Sequence, residues 1–370
     1  MLATQVKFAS RQSTAFMDEL KERVDAYFTS RHLSPKADWT MVVKSVILLG
    51  TFFGSYALLL TNWLTPWAML GVAVLMGVAM AGIGFAVSHD ALHGAYSADP
   101  RINRIIGYSF DLLGANGYMW KITHNVIHHT YTNVQGVDED LEVSPLVRLS
   151  PHSEWRPIHR IQHFLAFALY SLSTLFWVFV KDYKYFLQKN LGPYADKKHP
   201  IGEIVSLIIT KAVYYGYLIV IPLLVLHVTW WQFAIGFLAM QLTAGLILGV
   251  VFQLAHVVEG PEHPVCDCNG TMGACWPVHQ MMTTADFATH NRLLSWYVGG
   301  LNFQVEHHLF PKICSVHYPA LNPILKDVAA KYGVVYNCNP TLWAAIRSHY
   351  ETLKTFGRMP EAAPAVPAAA

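Results

Sequence analysis

Three short stretches of the chain place histidines at spacings that suit metal binding. They read HDALH at residues 89–93, HNVIHH at 124–129 and QVEHH at 304–308. Residues four apart share one face of a helix, so His89 and His93 can bind one ion, as can His124 and His128, with His129 turned toward a second. Adjacent imidazoles in an apolar chain repel each other when both are charged, which favours metal binding over protonation.

A further histidine, His256, directly follows the last long apolar run, where an ionisable side chain is costly and is therefore presumed functional. The candidate ligands are then His89, His93, His124, His128, His129, His256, His307 and His308. This set is too large for one ion, so the sequence predicts two. Nitrogen ligands without thiolate suit iron, copper, nickel or zinc.

The composition is that of a membrane protein. Of 370 residues, 53% are hydrophobic and 14% are charged, whereas charged residues make up about a quarter of a soluble domain. A net charge of +2 and the lack of a Lys/Arg stripe argue against nucleic-acid binding.

Four apolar runs are long enough to cross a bilayer, which takes about 20 helical residues. They are Met41 to Thr61, Pro66 to Ala86, Ile204 to Leu226 and Trp231 to Ala255. A fifth run, Phe164 to Val180, is shorter. An even number of crossings must separate the histidine clusters if they build one site, so we expect the fifth run to lie along the membrane interface.

The charge distribution predicts which side carries the histidines. The turns at 62–65 and 227–229 contain no Lys or Arg, whereas basic residues are frequent in the histidine-bearing segments. By the positive-inside tendency, the active site and both termini face the cytoplasm. The predicted fold is an all-α integral membrane protein, with four transmembrane helices as two hairpins and a cytoplasmic helical cap that holds a di-metal site.

The remaining segments are divided by composition. We expect an N-terminal cytoplasmic amphipathic segment at 1–40, a membrane domain at 41–332, C-terminal cytoplasmic helices at 333–358 and a disordered Pro/Ala-rich tail at 359–370. The polar stretch from Val134 to Pro157 is interpreted as a surface loop. Its acidic residues are interpreted as a solvated face, and they are Asp138, Glu139, Asp140 and Glu142.

Three clustered cysteines allow a small zinc site. Cys266, Cys268 and Cys275 lie close to His263 and His279 in the sequence. A polar loop that happens to hold reduced thiols is the favoured interpretation.

The strings HDALH, HNVIHH and QVEHHLFP together resemble the three histidine boxes of the membrane fatty acid desaturases. The resemblance runs from about Trp39 to Tyr332, and each box has a span where the family places one. Gln304, in place of the first histidine of the third box, resembles the front-end desaturases of the delta-5 and delta-6 type, which insert a double bond between an existing one and the carboxyl end.

The family resemblance implies a cofactor, a substrate and roles for individual residues. It implies two iron ions held by the box histidines and His256, O₂ as oxidant, and a tunnel for an acyl chain carried on coenzyme A or a lipid. Gln304 takes a ligand position as a weak ligand, through water, or as a hydrogen-bond donor to a ligand. Candidates to orient the ligand rings are Asp90, Asn125 and Glu306, followed by Trp120 and Asn302.

Many front-end desaturases carry a fused cytochrome domain with a His-Pro-Gly-Gly motif, and this sequence has no such motif. The resemblance therefore implies a separate electron donor, either a ferredoxin or free cytochrome b5 with its reductase. A basic patch could steer an acidic carrier, although positive-inside bias explains it equally well. It comprises Arg148, Arg156, Arg160, Lys181 and Lys184.

Three other functions use histidines in comparable ways. A fatty acyl or alkane hydroxylase on the same scaffold is the nearest, and the QVEHHLFP form favours desaturation over it. A bis-histidine haem electron carrier needs single histidines that face each other across paired spans, whereas these occur in doublets. A zinc hydrolase needs a His-Glu-x-x-His string, which the sequence lacks.

Overall fold

The computed structural model describes residues 6–8, 15–141, 144–193, 198–267 and 269–359, most of which are helical. In chain order the α-helices are α1 (Ala15–Ser30), α2 (Trp39–Leu60), α3 (Pro66–Gly82), α4 (His89–Leu92), α5 (Pro100–Leu112), α6 (Gly117–Trp120), α7 (His129–Tyr131), α8 (Gln162–Ser171), α9 (Ser173–Phe176), α10 (Asp182–Leu187), α11 (Ile201–Tyr215), α12 (Ile221–Val225), α13 (Trp230–His256), α14 (Trp276–Thr283), α15 (Arg292–Tyr297), α16 (Gln304–Leu309), α17 (Tyr318–Tyr332) and α18 (Leu342–Phe356). Four stretches are π-helical, at Ile83–Ser88, Lys121–His128, Trp177–Lys181 and Gly216–Val220. Short 3₁₀ turns occur at Glu139–Leu141, Pro157–Ile161 and Ser315–His317.

Two small parallel sheets complete the described structure. Strand β1 (Lys7–Phe8) pairs with β2 (Thr271–Met272), and β3 (Ala285–Phe287) pairs with β4 (Asn337–Asn339). The pairing of β3 with β4 fixes the segment between α14 and α16 against the chain that leads into α18.

Four continuous helices are long and apolar enough to cross a membrane, as predicted. They are span 1 (Trp39–Leu60), span 2 (Pro66–Leu92), span 3 (Ile201–Val225) and span 4 (Trp230–His256). Local sequence explains where the first hairpin begins and turns. Asp38 accepts the amide N–H of Met41 at the start of span 1, and Thr65 caps span 2 with Pro66 in the first turn. The prediction of an all-α membrane protein with four spans is confirmed.

Spans 2 and 4 form the closest helix pair, and glycine allows the contact. A Cβ on Gly77 would overlap the carbonyl oxygen of Met240, so any other residue would push the two spans apart. Both spans also run further than predicted. Span 2 continues through a π-helical stretch to Leu92, so that His89 lies within it, and span 4 includes His256 as its last residue.

The fifth apolar run forms two helical stretches, Pro157–Ser171 and Ser173–Leu187, which are bent by 57° at Leu172. Helix α8 packs on span 4, where Gly245 leaves room for the backbone of Ser171. Length and composition allow this bent pair to be counted as a fifth span. Its placement along the membrane interface stays a prediction.

The remaining helices form a cap over one end of the spans. The apolar face of α1 packs on α17 through residues that include Phe16, Leu20 and Leu325, all of them buried. Helix α18 packs on α8, where Nε2 of the buried His349 accepts a hydrogen bond from the hydroxyl of Tyr170 at 3.0 Å. Met359 ends the described chain, and the rest of the predicted disordered tail, residues 360–370, lies outside it.

Candidate metal centre

Two π-helical stretches deliver the first two histidine boxes to the site. His89 donates its backbone N–H to the carbonyl of Gly84, and His129 donates its backbone N–H to the carbonyl of His124. In each case the acceptor lies five residues earlier in the chain. This spacing widens the helix, as π-helical turns at functional sites often do. The first box therefore directly follows a π-helical stretch, and His124 and His128 of the second box lie within one.

Four histidines form what we call the first group, His89, His93, His124 and His307. One ring nitrogen from each of them lies within 4.8 Å of the others, and all four side chains are buried. The ring centroids of His89 and His93 each lie close to that of His307, at 4.5 and 4.8 Å. The first box, the second box and the third box thus all contribute to this group.

Three histidines form the second group, His128, His256 and His308. Their ligand atoms also lie within 4.8 Å of one another, and the three side chains are buried. The ring centroids are separated by 4.8 to 5.1 Å. Three imidazoles around one point match the number of protein ligands that catalytic metal sites commonly use.

His129 lies between the two groups. Its Nε2 is 3.3 Å from Nε2 of His124, and its ring stacks on His308 with centroids 4.4 Å apart. The sequence interpretation that His124 and His128 face one ion stays a prediction. His124 belongs to the first group and His128 to the second, but the two also form a third group of potential ligands together with Asp140. Their rings lie side by side, with centroids 5.0 Å apart, so neighbouring rings serve neighbouring groups.

The donor atoms fit a pair of metal ions. Nε2 of His93, His128, His256, His307 and His308 is buried and has no hydrogen-bond partner among the described residues. Unpaired buried nitrogens are costly, and a metal would satisfy them. Burial, together with the neighbouring imidazoles, lowers the pKa of His93, His124, His129, His307 and His308 well below the usual value. These rings are therefore neutral, with a lone pair free for a cation.

Each histidine of the second group has its Nδ1 bound to an acceptor. His128 Nδ1 lies 3.0 Å from a carboxylate oxygen of Asp138, His256 Nδ1 lies 3.1 Å from the carbonyl of Thr283, and His308 Nδ1 lies 2.8 Å from the amide oxygen of Gln280. These contacts make Nδ1 the donor, which leaves Nε2 as the ligand atom. Burial opposes charge on His128, yet the Asp138 carboxylate raises its pKa.

The first group has fewer such contacts. His307 Nδ1 lies 3.2 Å from the hydroxyl of Tyr318, and His89 Nδ1 is 3.7 Å from Asp90. Trp120 packs flat on His124 with ring centroids 4.3 Å apart, and it also meets His89 and His93 edge-on. Here an aromatic ring, rather than a set of acceptors, constrains the ligands.

The other predicted neighbours of the ligands have different partners from those expected. Asn125 donates its side-chain amide to the carbonyl of Leu92, and Asn302 donates to the carbonyl of Phe287, so neither bonds a ligand ring. Glu306 accepts a hydrogen bond from Asn322, and burial raises the pKa of both Glu306 and its neighbour Asp286. Each of these side chains therefore bonds a residue outside the two histidine groups.

Asp90 and Gln304 differ from this pattern. Asp90 uses one oxygen to accept from the backbone and hydroxyl of Ser315, and its other oxygen is the one near His89. Gln304 begins α16 and is buried, and its part in metal binding stays a prediction.

Asp138 and Asp140 are candidate functional residues that sequence reasoning missed. The solvated face predicted for them is wrong, since Asp138 is 1% exposed and Asp140 lies 3.8 Å from Nδ1 of both His124 and His128. Asn133 and Gly136, with φ of 59° and 76°, turn the chain back onto the second box. This Asn-x-x-Gly turn was the available signal. Glu142 lies outside the described residues.

Two further predicted features have structural outcomes. Among the described residues, no cysteine joins a group of potential metal ligands, and Cys268 lies outside them.

In the basic patch, Arg148 is buried and donates to the carbonyls of Ser153 and Phe356. Lys181 lies 3.5 Å from Asp140 beside the site. Arg156, Arg160 and Lys184 are the exposed members of the patch.

Comparisons with known proteins agree with the histidine boxes. The family model of the fatty acid desaturases matches residues 61–340. A protein named sn-1 linoleoyl-lipid 6-desaturase from Synechocystis sp. is 38% identical over 97% of this chain and 99% of its own length. Its namesake from Arthrospira platensis is 35% identical over 98% of both chains. An acyl-lipid (8-3)-desaturase from Physcomitrium patens is 34% identical over 95% of this chain and 74% of its own.

Proposed function

The chain belongs to the fatty acid desaturase family, and from this premise we propose that it inserts a cis double bond into an acyl chain of a membrane lipid with front-end regioselectivity. The relatives named as linoleoyl-lipid 6-desaturases cover nearly the whole chain, which supports an acyl-lipid over an acyl-CoA substrate. Gln304 at the start of the third box supports the front-end assignment.

We propose that the two histidine groups hold two iron ions, with His129 between them. Bound iron supplies the activation of O₂ and the oxidation of an unactivated methylene C–H bond, which side-chain acid/base chemistry cannot achieve. In the overall reaction, –CH₂–CH₂– with O₂, two electrons and two protons gives –CH=CH– and two waters. The observation that carries this proposal is the set of buried, unpartnered Nε2 atoms in two groups.

The chain's own residues prepare the site for this reaction. Neutral imidazoles present lone pairs, and Asp138, Gln280 and the Thr283 carbonyl hold three of the rings in one orientation. Buried apolar side chains beside the second box, such as Ile127 and Met119, keep bulk water away from the histidines. The protein thereby positions the metals and leaves bond cleavage to the cofactor.

We further propose that the site faces the cytoplasm and receives electrons from a separate protein, a ferredoxin or free cytochrome b5 with its reductase. The lack of Lys and Arg in both short turns supports this orientation. Exposed Arg156, Arg160 and Lys184 offer a basic surface to an acidic carrier.

Two measurements test the proposal. Metal analysis of the purified protein should give about two iron ions per chain, as two nitrogen-ligated groups require, and zinc alone would reject it. Expression in a host that is fed linoleate, followed by location of new double bonds in intact lipids by mass spectrometry, should show a bond on the carboxyl side of the existing ones. New bonds on the methyl side, or hydroxylated products, would reject the front-end assignment.

A further inference from the structure

A cavity lies between the four spans at the end away from the histidines. Its volume is about 400 Å³, and its walls come from the end of span 1, the start of span 2, the end of span 3 and the start of span 4. Its lining runs from Trp67 and Trp231, in the first turns of spans 2 and 4, to Ala73, Met76 and Met240 further along these spans. We call the end at the tryptophans its mouth and the end at Ala73, Met76 and Met240 its floor. None of the candidate metal ligands contributes to it.

The walls of this cavity suit a hydrocarbon chain. Most lining residues are aliphatic or aromatic. The polar side chains among them are already bonded within the protein, since the Tyr56 hydroxyl donates to the carbonyl of Tyr217 and Gln232 accepts from the N–H of Thr229. A polar ligand or a water cluster would find few partners here, and apolar cavities of this kind stay dry.

The floor closes the cavity toward the histidines. Gly77, the residue after Met76, brings span 2 into backbone contact with Met240 of span 4. Beyond that contact the buried side chains of Met80, Ile83 and Ala244 fill the space between the spans. From Met76 to His89 there is about 20 Å of helix at 1.5 Å per residue. A chain in the cavity is therefore not the chain that is oxidised.

The position of the mouth identifies which lipids can reach it. Trp63, Trp67 and Trp230 are more than three-quarters exposed at the two short turns, where aromatic residues mark a membrane interface. The medium outside the mouth is therefore the leaflet opposite the histidine cluster. We propose that the cavity binds one acyl tail of a phospholipid or glycolipid from that leaflet, as a site separate from the catalytic one.

A bound tail has a structural consequence. Spans 1 and 3 reach spans 2 and 4 across this cavity at the level of the turns, and an empty space there would forfeit the dispersion contacts of every lining side chain. The tail completes the packing between the two hairpins.

Filling the cavity tests the proposal. A Cβ on Gly236 would point at Ala73 at 3.9 Å, and both residues line the cavity. Gly236→Leu, alone and with Ala73→Leu, should remove about one lipid per chain from the protein purified in mild detergent, as counted by mass spectrometry of extracted lipids. Leu75→Phe, on the exposed side of span 2, should keep the wild-type lipid count. Unchanged metal content would show that the variants fold.

Two outcomes would overturn the proposal. One is equal lipid retention in the filled variants and the wild type. The other is retention of lipid together with a shift in the position of the new double bond, which would assign the cavity to the reacting chain. Neither outcome would change the metal count, which tests the proposed di-iron site separately.

Discussion

The two histidine groups of the site are held in place by different means. In the second group every Nδ1 has an acceptor, supplied by Asp138, Gln280 and the carbonyl of Thr283. In the first group, among the residues that the structure describes, His307 alone has a hydrogen-bonded Nδ1, to Tyr318, while Trp120 packs on His124. The second group is thus oriented before any metal arrives, and the first group relies more on ring packing and on the metal itself.

This difference has a consequence for metal binding. Acceptors at Nδ1 fix the tautomer and make the opposite nitrogen a better ligand. Three oriented rings can therefore bind a metal ion as tightly as four less restrained ones. We expect the second group to bind its ion with less reorganisation. Substitutions in the two groups should then differ in size, and the following variants measure that difference.

The largest effect should come from removal of a ligand in the smaller group. His308→Ala leaves two imidazoles in the second group, whereas His93→Ala leaves three in the first. Loss of a hydrogen-bond partner of a metal ligand alone costs about 10- to 100-fold in metal affinity or activity. Loss of the ligand itself should cost more, so His308→Ala should lower activity by at least about 100-fold and remove one ion per chain. His93→Ala should retain more metal. Elemental analysis and turnover assays on the membrane-inserted proteins provide the measurement, and equal metal loss would contradict the comparison.

Removal of the carboxylate behind the second group should come next. Asp138→Asn keeps the shape of the side chain but weakens the contact with His128 Nδ1. Metal affinity at the second group should fall by about 10- to 100-fold, which is the usual value of such a partner. Chelator titration followed by metal analysis measures it.

Asp90→Asn is the matched control in the first group. Asp90 lies 3.7 Å from His89 Nδ1, and its other oxygen is held by Ser315, so the effect on metal affinity should be smaller. An Asp90→Asn effect as large as that of Asp138→Asn would mean that the first group is oriented by carboxylate as well.

The stability of the packing around His349, next to the second group, should depend on pH. His349 donates Nδ1–H to the carbonyl of Val257, the residue after His256, at 2.6 Å. Burial lowers the pKa of His349 from 6.5 to about 4. The unfolded chain then binds a proton that the folded chain does not, so stability present above pH 6.5 is lost as pH falls toward 4. The loss at pH 4 amounts to about 3 kcal/mol at 1.36 kcal/mol per pKa unit.

His349→Gln removes this titration. Thermal unfolding of the metal-free protein between pH 7 and 4.5 should show a shallower loss of stability in the variant than in the wild type. Parallel curves for the two proteins would show that His349 is not the group that responds.

The smallest effect should come from the aromatic support of the first group. Trp120→Phe keeps a ring on His124 but reduces the contact area, and Trp120→Ala removes the ring. Aromatic pairs are worth about 0.5–1.5 kcal/mol, so Trp120→Ala should lower activity by about 2- to 10-fold and Trp120→Phe by less. Steady-state turnover at fixed metal content measures both. A loss as large as that of His308→Ala would show that the first group depends on Trp120 for its assembly.

The length of the apolar runs was sufficient to predict the membrane helices, and the local spacing of the histidines was sufficient to predict that they come together. Each span is a continuous apolar run with a cap or a proline at its start, and these local signals persist in the fold. The box histidines were apparent because imidazoles are costly in so apolar a chain.

The surroundings of the site could not be predicted in the same way. Asp138 reaches His128 only because Asn133 and Gly136 take left-handed backbone conformations, and polar composition alone suggested a solvated loop. Glu306, adjacent in sequence to a ligand, turns instead to Asp286 and Asn322. Neighbours along the chain and neighbours in space differ here because helix turns and tertiary pairing decide where each side chain points.

The π-helical stretch at Lys121–His128 makes chain length a property of the site. Val126 lies within this stretch, and its side chain is 42% exposed. Most substitutions there should be tolerated, since little is packed against it. Deletion of the same residue would return the stretch toward α-helical spacing and rotate His124 by about 100° relative to His128. The second box should thus tolerate a substitution at Val126 but not its deletion. The number of residues between His124 and His128 matters more here than the identity of this one.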